Sequence, residues 1–251
     1  MRLKFLSFIL LSPVLLNPVL SFANTLPISN SSWEPLISIS AGLANINADS
    51  QSQSNTGDDG ENFIYNSPSQ NKTVGLAGIF LGAQHDLPHD FFIETGLEYN
   101  YFGSMTIRGD NTTGIDSDSS TAYNYDYKLH TQQFLAVVKL LTQVDFFSTQ
   151  HSFYPYISLG LGAALNQASG FESSTQETGS VNLTPGFNSH TETNFSYSLG
   201  LGFEMNLSQN MTAGLGYEFA YFGKNSLGQG QVNINNYSAP TNFNLAAPKT
   251  Y

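Results

Sequence analysis

The chain has 251 residues, a formal charge of −11, only 11% charged residues and no cysteine. An acidic, lysine-poor balance argues against nucleic acid as a partner, and the missing cysteines exclude a disulfide framework. Ordinary soluble domains carry about 25% charged residues; here tyrosine, phenylalanine, glycine, serine and asparagine take their place.

The chain opens with Arg2 and Lys4, followed by an apolar run over residues 5–16 and small residues at Ser21 and Ala23. This order predicts a secretory signal peptide over residues 1–23, cleaved after Ala23. A permanent membrane anchor needs roughly 20 unbroken apolar residues, and Pro13, Asn17 and Pro18 interrupt the run. Loss of Arg2 and Lys4 takes the formal charge from −11 to −13. No later run is long enough for a transmembrane helix, so any membrane crossing by the domain 24–251 uses strands.

The first predicted strand is 36–47, within "PLISISAGLANINA". A long polar gap follows at 48–72 and contains "GDDGEN", with Asp58, Asp59 and Glu61. These are hard oxygen ligands, but the ordered spacing of a calcium loop is absent. The second strand, 73–84, leads into the turn "HDLPHD". His85 and His89 have a spacing that metals use, but Pro88 and the missing helix leave the rings on no common face. The third strand, 91–104, puts Phe91, Ile93, Leu97, Tyr99 and Tyr101 opposite Glu94, Gly96, Glu98 and Asn100. Another polar gap, 105–126, carries Asp116 and Asp118.

The fourth strand, 127–141, has no clean parity, which leaves Lys139 between lumen and interface. A short connection at 142–152 precedes the fifth strand, 153–167, and a long gap at 168–193 follows it. The sixth strand, 194–205, alternates strictly: Phe195, Tyr197, Leu199, Leu201, Phe203 and Met205 oppose Asn194, Ser196, Ser198, Gly200, Gly202 and Glu204. After a turn at 206–210 the seventh strand, 211–223, repeats the rule, with Tyr217, Phe219 and Tyr221 opposite Glu218. Such period-two patterning marks strands between two different solvents. A large continuous apolar face opposite small residues and carboxylates fits lipid outside and a narrow polar lumen inside.

Long gaps follow the first, third, fifth and seventh strands, the last at 224–247, so antiparallel pairing puts all long loops at one end. Tyr99, Tyr101, Tyr125, Tyr127, Tyr217, Phe219 and Tyr221 gather there as a candidate aromatic girdle, while Phe91, Phe92, Phe146, Phe147, Phe153 and Tyr154 gather at the other end. Glu94, Glu98, Glu204 and Glu218 are candidate luminal carboxylates, with Lys139, Lys128 and Arg108 as partners. A single shift of 120 residues carries 35–48 onto 155–168, Gly96 onto Gly216, Glu98 onto Glu218 and "YFG" at 101–103 onto 221–223, which predicts two related halves.

With "ISLGLGAAL", "GLEYNYFG", "GLGYEFAYFG" and the alternating loops, the chain resembles the small outer-membrane β-barrel superfamily of Gram-negative bacteria. That group includes the transmembrane domain of outer membrane protein A and opacity-type surface antigens. The resemblance implies an all-β, antiparallel up-and-down barrel of eight strands in the outer membrane. It also implies outer-membrane lipid and lipopolysaccharide, and the barrel-assembly machinery, as partners. The shift of 120 places an eighth strand from about residue 247, so "PKTY" at 248–251 reads as its start. The eighth strand is expected to be missing or short.

No nucleophile elbow appears, and His130 is the best-placed histidine for lipid chemistry only by its position near the long-loop end. The expectation is a noncatalytic surface barrel without cofactor or metal, its lumen filled by side chains, displaying flexible loops to surface ligands. A channel for small solutes or hydrophobic molecules is the alternative, and a lipid-modifying enzyme ranks below both.

Overall fold

The computed structural model describes residues 2–3, 19–25, 33–57, 60–114, 120–144, 152–176, 183–208, 210–234 and 237–251. Among them the ordered structure is entirely β. Seven long strands follow each other with antiparallel pairing: β1 (Trp33–Ala48), β2 (Gln70–Leu87), β3 (Phe91–Gly114), β4 (Thr121–Thr142), β5 (Phe153–Thr175), β6 (His190–Ser208) and β7 (Met211–Tyr221). The wall curls, because side chains of non-neighbouring strands meet inside it: Lys139 on β4 reaches Glu204 on β6 at 2.7 Å.

Outward parity is apolar all round. Leu97, Ile157, Phe195 and Leu201 are each more than 60% exposed, an apolar surface that water does not tolerate and lipid does. On β4 the odd residues turn inward, from Tyr123 to Leu141, while Phe134, Val138 and Leu140 face out. This resolves the fourth strand: its inner face carries Leu135 and Val137 beside Lys139, so both parities look apolar in sequence.

The strands do not stop where the polar gaps were expected to begin. β3 alone has 24 residues, about 80 Å of extended chain at about 3.3 Å per residue, against an apolar band about 25 Å tall. Much of the segments 48–72, 105–126, 168–193 and 224–247 is strand. Gln51–Thr56 pairs with Asn62–Ser67, which joins the outer part of β3, and Gly223–Ile234 pairs with Tyr237–Thr250. The described parts of these segments therefore form a β platform that continues the wall beyond its apolar band.

The extensions escaped notice because the alternation changes phase at the membrane edge. β3 opposes two residues, Gly103 and Ser104, to His130 alone, and β5 opposes Gly170 and Phe171 to Tyr127 alone. Each β-bulge shifts the inward parity by one: Phe102 is inward and so is Met105. A third shift follows β7 at Gly223. Gly170 and Gly223 have φ of 66° and 84°, the left-handed region that glycine enters without steric cost.

Beyond these kinks lies a second core. Phe63, Tyr65, Met105, Ile107, Tyr125, Tyr127, Leu129, Phe187, Leu227 and Leu245 pack inside the platform. Tyr65 meets Tyr125 and Phe187 edge-on, with ring centroids 5.7 and 5.5 Å apart. Tyr125 and Tyr127 thus sit inside the platform and do not belong to the outer girdle.

β1 and β7 are not registered with each other; shorter strands lie between them. Thr250 is registered with both Ala48 and Gly223, and the backbones of Asn47 and Tyr251 exchange hydrogen bonds. Further in, Val19–Thr25 pairs with β1 at Thr25↔Leu36, and Arg2–Leu3 pairs with β7 at Leu3↔Met211. The described residues give seven membrane-length strands, and an eighth is not among them. The apolar run of the expected signal peptide, and Asp58, Asp59, Asp116, Asp118, Phe146 and Phe147, lie outside the described residues.

Candidate functional site

Alternation on β3, β4, β6 and β7 sends all five expected polar side chains into the lumen. Lys139 is the hub. Its Nζ donates to Glu204 Oε1 at 2.7 Å and lies 3.0 Å from Glu94 Oε2. The same nitrogen sits 4.7 Å from the ring centre of Tyr156, a cation–π contact. Glu94 and Glu204 are buried to within 1–2% of full burial. Two carboxylates on one ammonium satisfy the rule that a buried charge must be paired. Glu98 and Glu218 lie one layer further out and are half-buried. With Ser38, Ser40, Phe80, Tyr156, Ser158 and Lys139 they line a cavity of about 60 Å³, room for a few waters.

Lys128 and Arg108, expected as luminal partners, are exposed on the outer wall above the membrane band. For Arg108 the bulge at Gly103–Ser104 explains this, since even residues of β3 beyond it face outward; Lys128 is an even residue of β4, whose inner face is odd throughout. His85 stacks on Trp33 at 4.8 Å and His89 sits in the inner turn with φ of 65°. No group of three metal-type ligands occurs among the described residues.

The glycines opposite the carboxylates have a packing role. Gly82 pairs with Gly96 and Gly202 with Gly216, positions related by the shift of 120. Each pair makes a flat patch for a luminal ring: a Cβ on Gly82 or Gly96 would overlap Phe80, and one on Gly216 would overlap the Tyr156 hydroxyl. The Tyr156 ring on its glycine patch is the ring that faces Lys139.

At the outer end of the lumen the repeated "YFG" segments meet. Phe102 and Phe222 pack edge to face with centroids 4.7 Å apart. Asn166 donates to the Phe222 carbonyl at 2.6 Å and accepts from Thr131 at 3.0 Å. Gln133 donates to Ser196, which donates to the Tyr221 carbonyl. These side chains were not singled out in the sequence, although the repeat marked the two phenylalanines.

On the outer wall, Tyr99, Tyr101, Tyr217, Phe219 and Tyr221 face outward. Tyr99 packs on Phe134 at 4.9 Å, Tyr101 on His130 at 5.5 Å, and Tyr197 on both Phe219 and Tyr221. Of the rings expected at the inner end, Phe92 and Tyr154 face each other inside, 5.5 Å apart.

The sequence finds no match among the curated proteins and none among the solved structures. The family model described as "Outer membrane protein beta-barrel domain" matches residues 18–247. A strand-only wall with an apolar exterior and a polar interior is what that description requires, and the chain belongs to the outer membrane protein β-barrel domain family, whose place is the bacterial outer membrane.

Proposed function

We propose that this outer-membrane barrel is a noncatalytic surface protein that holds a packed β platform above the membrane and passes little through its lumen. The observation that carries the reading is the double obstruction inside the wall. The Lys139 group with Glu94 and Glu204 crosses it toward the inner end, and Phe102 with Phe222 crosses it at the outer end. A narrow barrel is filled by side chains, and the small cavity between these layers fits that rule. His130, the candidate for lipid chemistry, is turned to the outer wall against Tyr101, away from the luminal carboxylates, which supports a noncatalytic role.

The absence of cysteine makes the display testable by single-cysteine labelling. A membrane-impermeant maleimide applied to intact cells is expected to label Ser54→Cys on the platform hairpin and not His89→Cys in the turn after β2. Labelling of the His89 position from outside would reverse the orientation and end the surface reading. Between β1 and β7 the wall continues through the short strands Val19–Thr25 and Arg2–Leu3, each registered with its long neighbour at one position, and this seam favours one second reading, a lateral route for a hydrophobic molecule. A disulfide across the seam, from Thr25→Cys with Leu36→Cys, that abolished uptake of such a molecule would support it.

A further inference from the structure

The last hairpin of the platform, Gly223–Ile234 with Tyr237–Thr250, covers the aromatic core. Leu227, Leu245 and Ala247 are buried in that core, and Phe243 packs on Phe63 and Phe187 with ring centroids 5.6 and 6.0 Å apart. Backbone bonds from Tyr237–Thr250 toward the first hairpin, Gln51–Thr56 with Asn62–Ser67, stop near the root. There Thr250 is registered with Ala48, and the Asp49 N–H donates to the Lys249 carbonyl. Beyond that point no backbone ladder joins the two hairpins among the described residues.

Two glutamines take the place of the ladder. Gln53 Nε2 donates to the Asn244 carbonyl at 2.7 Å, while the Ala246 N–H donates to Gln53 Oε1 at 2.8 Å. A parallel strand residue opposite Leu245 would donate to the same carbonyl and accept from the same N–H, so one side-chain amide replaces a peptide group. Gln51 Nε2 adds a bond to the Ala246 carbonyl at 2.9 Å. Asn244 and Ala246 are exposed, so water competes for every one of these bonds.

The opposite edge of the hairpin is held by two registered residues, Gln231 with Gly186 and Gly230 with Phe187. Its root, by contrast, is pinned around the Gly223 kink. Asn166 donates to the Phe222 carbonyl at 2.6 Å, Asn194 to the Lys224 carbonyl at 2.8 Å, and Ser226 to Glu192 at 3.2 Å. Between Ser226 and Gln231 the pairing inside the hairpin shifts register twice. We infer that the last hairpin is a hinged lid over the aromatic core, latched by Gln53 and Gln51. It opens at the glutamine seam while its root stays in place, because a segment held by few, solvent-exposed hydrogen bonds opens before the rest of a fold. Opening uncovers Phe63 and Phe187 and leaves the Lys139 group and the Phe102–Phe222 contact in the wall. The inference is therefore independent of whether the lumen conducts.

The test uses the full chain in lipid nanodiscs, with Ala247→Cys as its only thiol. Ala247 is 6% exposed on the core side of the hairpin, so a maleimide reaches that position when the lid opens. Gln53→Ala should raise the labelling rate about fivefold, and Gln51→Ala added to it should raise the rate further. Gln229→Ala removes a bond to the Thr241 carbonyl within the hairpin itself and should leave the rate unchanged. Ala213→Cys, buried on β7, reports general loosening and should stay slow in every variant. A heat-dependent gel shift like that of the parent would show that the variants still fold. Hydrogen exchange needs no thiol and should run faster over residues 226–247 than over 153–167. An unchanged rate at Ala247→Cys without both glutamines, an equal gain at Ala213→Cys or from Gln229→Ala, or equal protection of 226–247 and 153–167 would each overturn the inference.

Discussion

Lys139 shows most plainly what a single residue contributes. Removing one partner of a buried charge group leaves the others uncompensated, at a cost of about 3–5 kcal/mol. Lys139→Met should therefore lower the urea midpoint of the barrel sharply, while Glu94→Gln and Glu204→Gln added to it should restore most of the loss. A Lys139→Met protein as stable as the parent would mean that the group is hydrated and does not cross the lumen. The kink glycines give a graded case. Gly170→Ala places a left-handed residue where no atom lies within 4 Å of the new Cβ, so only backbone strain of about 1–2 kcal/mol is expected. Gly223→Ala adds a Cβ 2.6 Å from that of Asn194 and should cost more. Equal unfolding midpoints for the two variants would contradict this assignment.

The strands show how the repeat is used. Positions 102 and 222, related by the shift of 120, meet inside the wall, so Phe102→Ala and Phe222→Ala should not add. A double-mutant cycle read by unfolding should give a coupling of about 0.5–1.5 kcal/mol; simple additivity would mean that the rings do not support each other. The membrane parts of the strands were legible because lipid enforces strict alternation on β3, β6 and β7. β4 was not, since Leu135, Val137 and Leu141 fill the lumen and blur the two faces. The platform was hidden for another reason. At Gly103, Gly170 and Gly223 the inward phase changes by one, so a period-two pattern followed from the membrane breaks where the strand continues. Glu94 and Glu204 were legible as luminal carboxylates and Lys139 as a candidate partner whose side stayed open with the parity of β4; Glu94 is its direct cross-strand neighbour, but its meeting with Glu204 across β5 depends on wall curvature, which no local pattern encodes.

At the scale of the whole molecule, two cores divide the labour: a polar lumen within the membrane and an aromatic core above it. Burial pushes the Tyr65 hydroxyl well above its ordinary range, against the Thr184 hydrogen bond, which acts the other way; burial and then Asp110 do the same for Tyr125. Unfolded tyrosines ionise near pH 10, so the folded platform holds these protons where the open chain releases them. Its stability from this source is complete below about pH 10 and is lost as pH rises beyond it. Tyrosinate absorbance should therefore rise together with protease cleavage of the platform hairpins; ionisation of both rings near pH 10 with the hairpins still protected would contradict the buried core. The central claim is an obstructed lumen, and planar-bilayer recording of the purified chain tests it most directly. The account predicts no stable single-channel conductance for the folded protein; large, long-lived openings would contradict it.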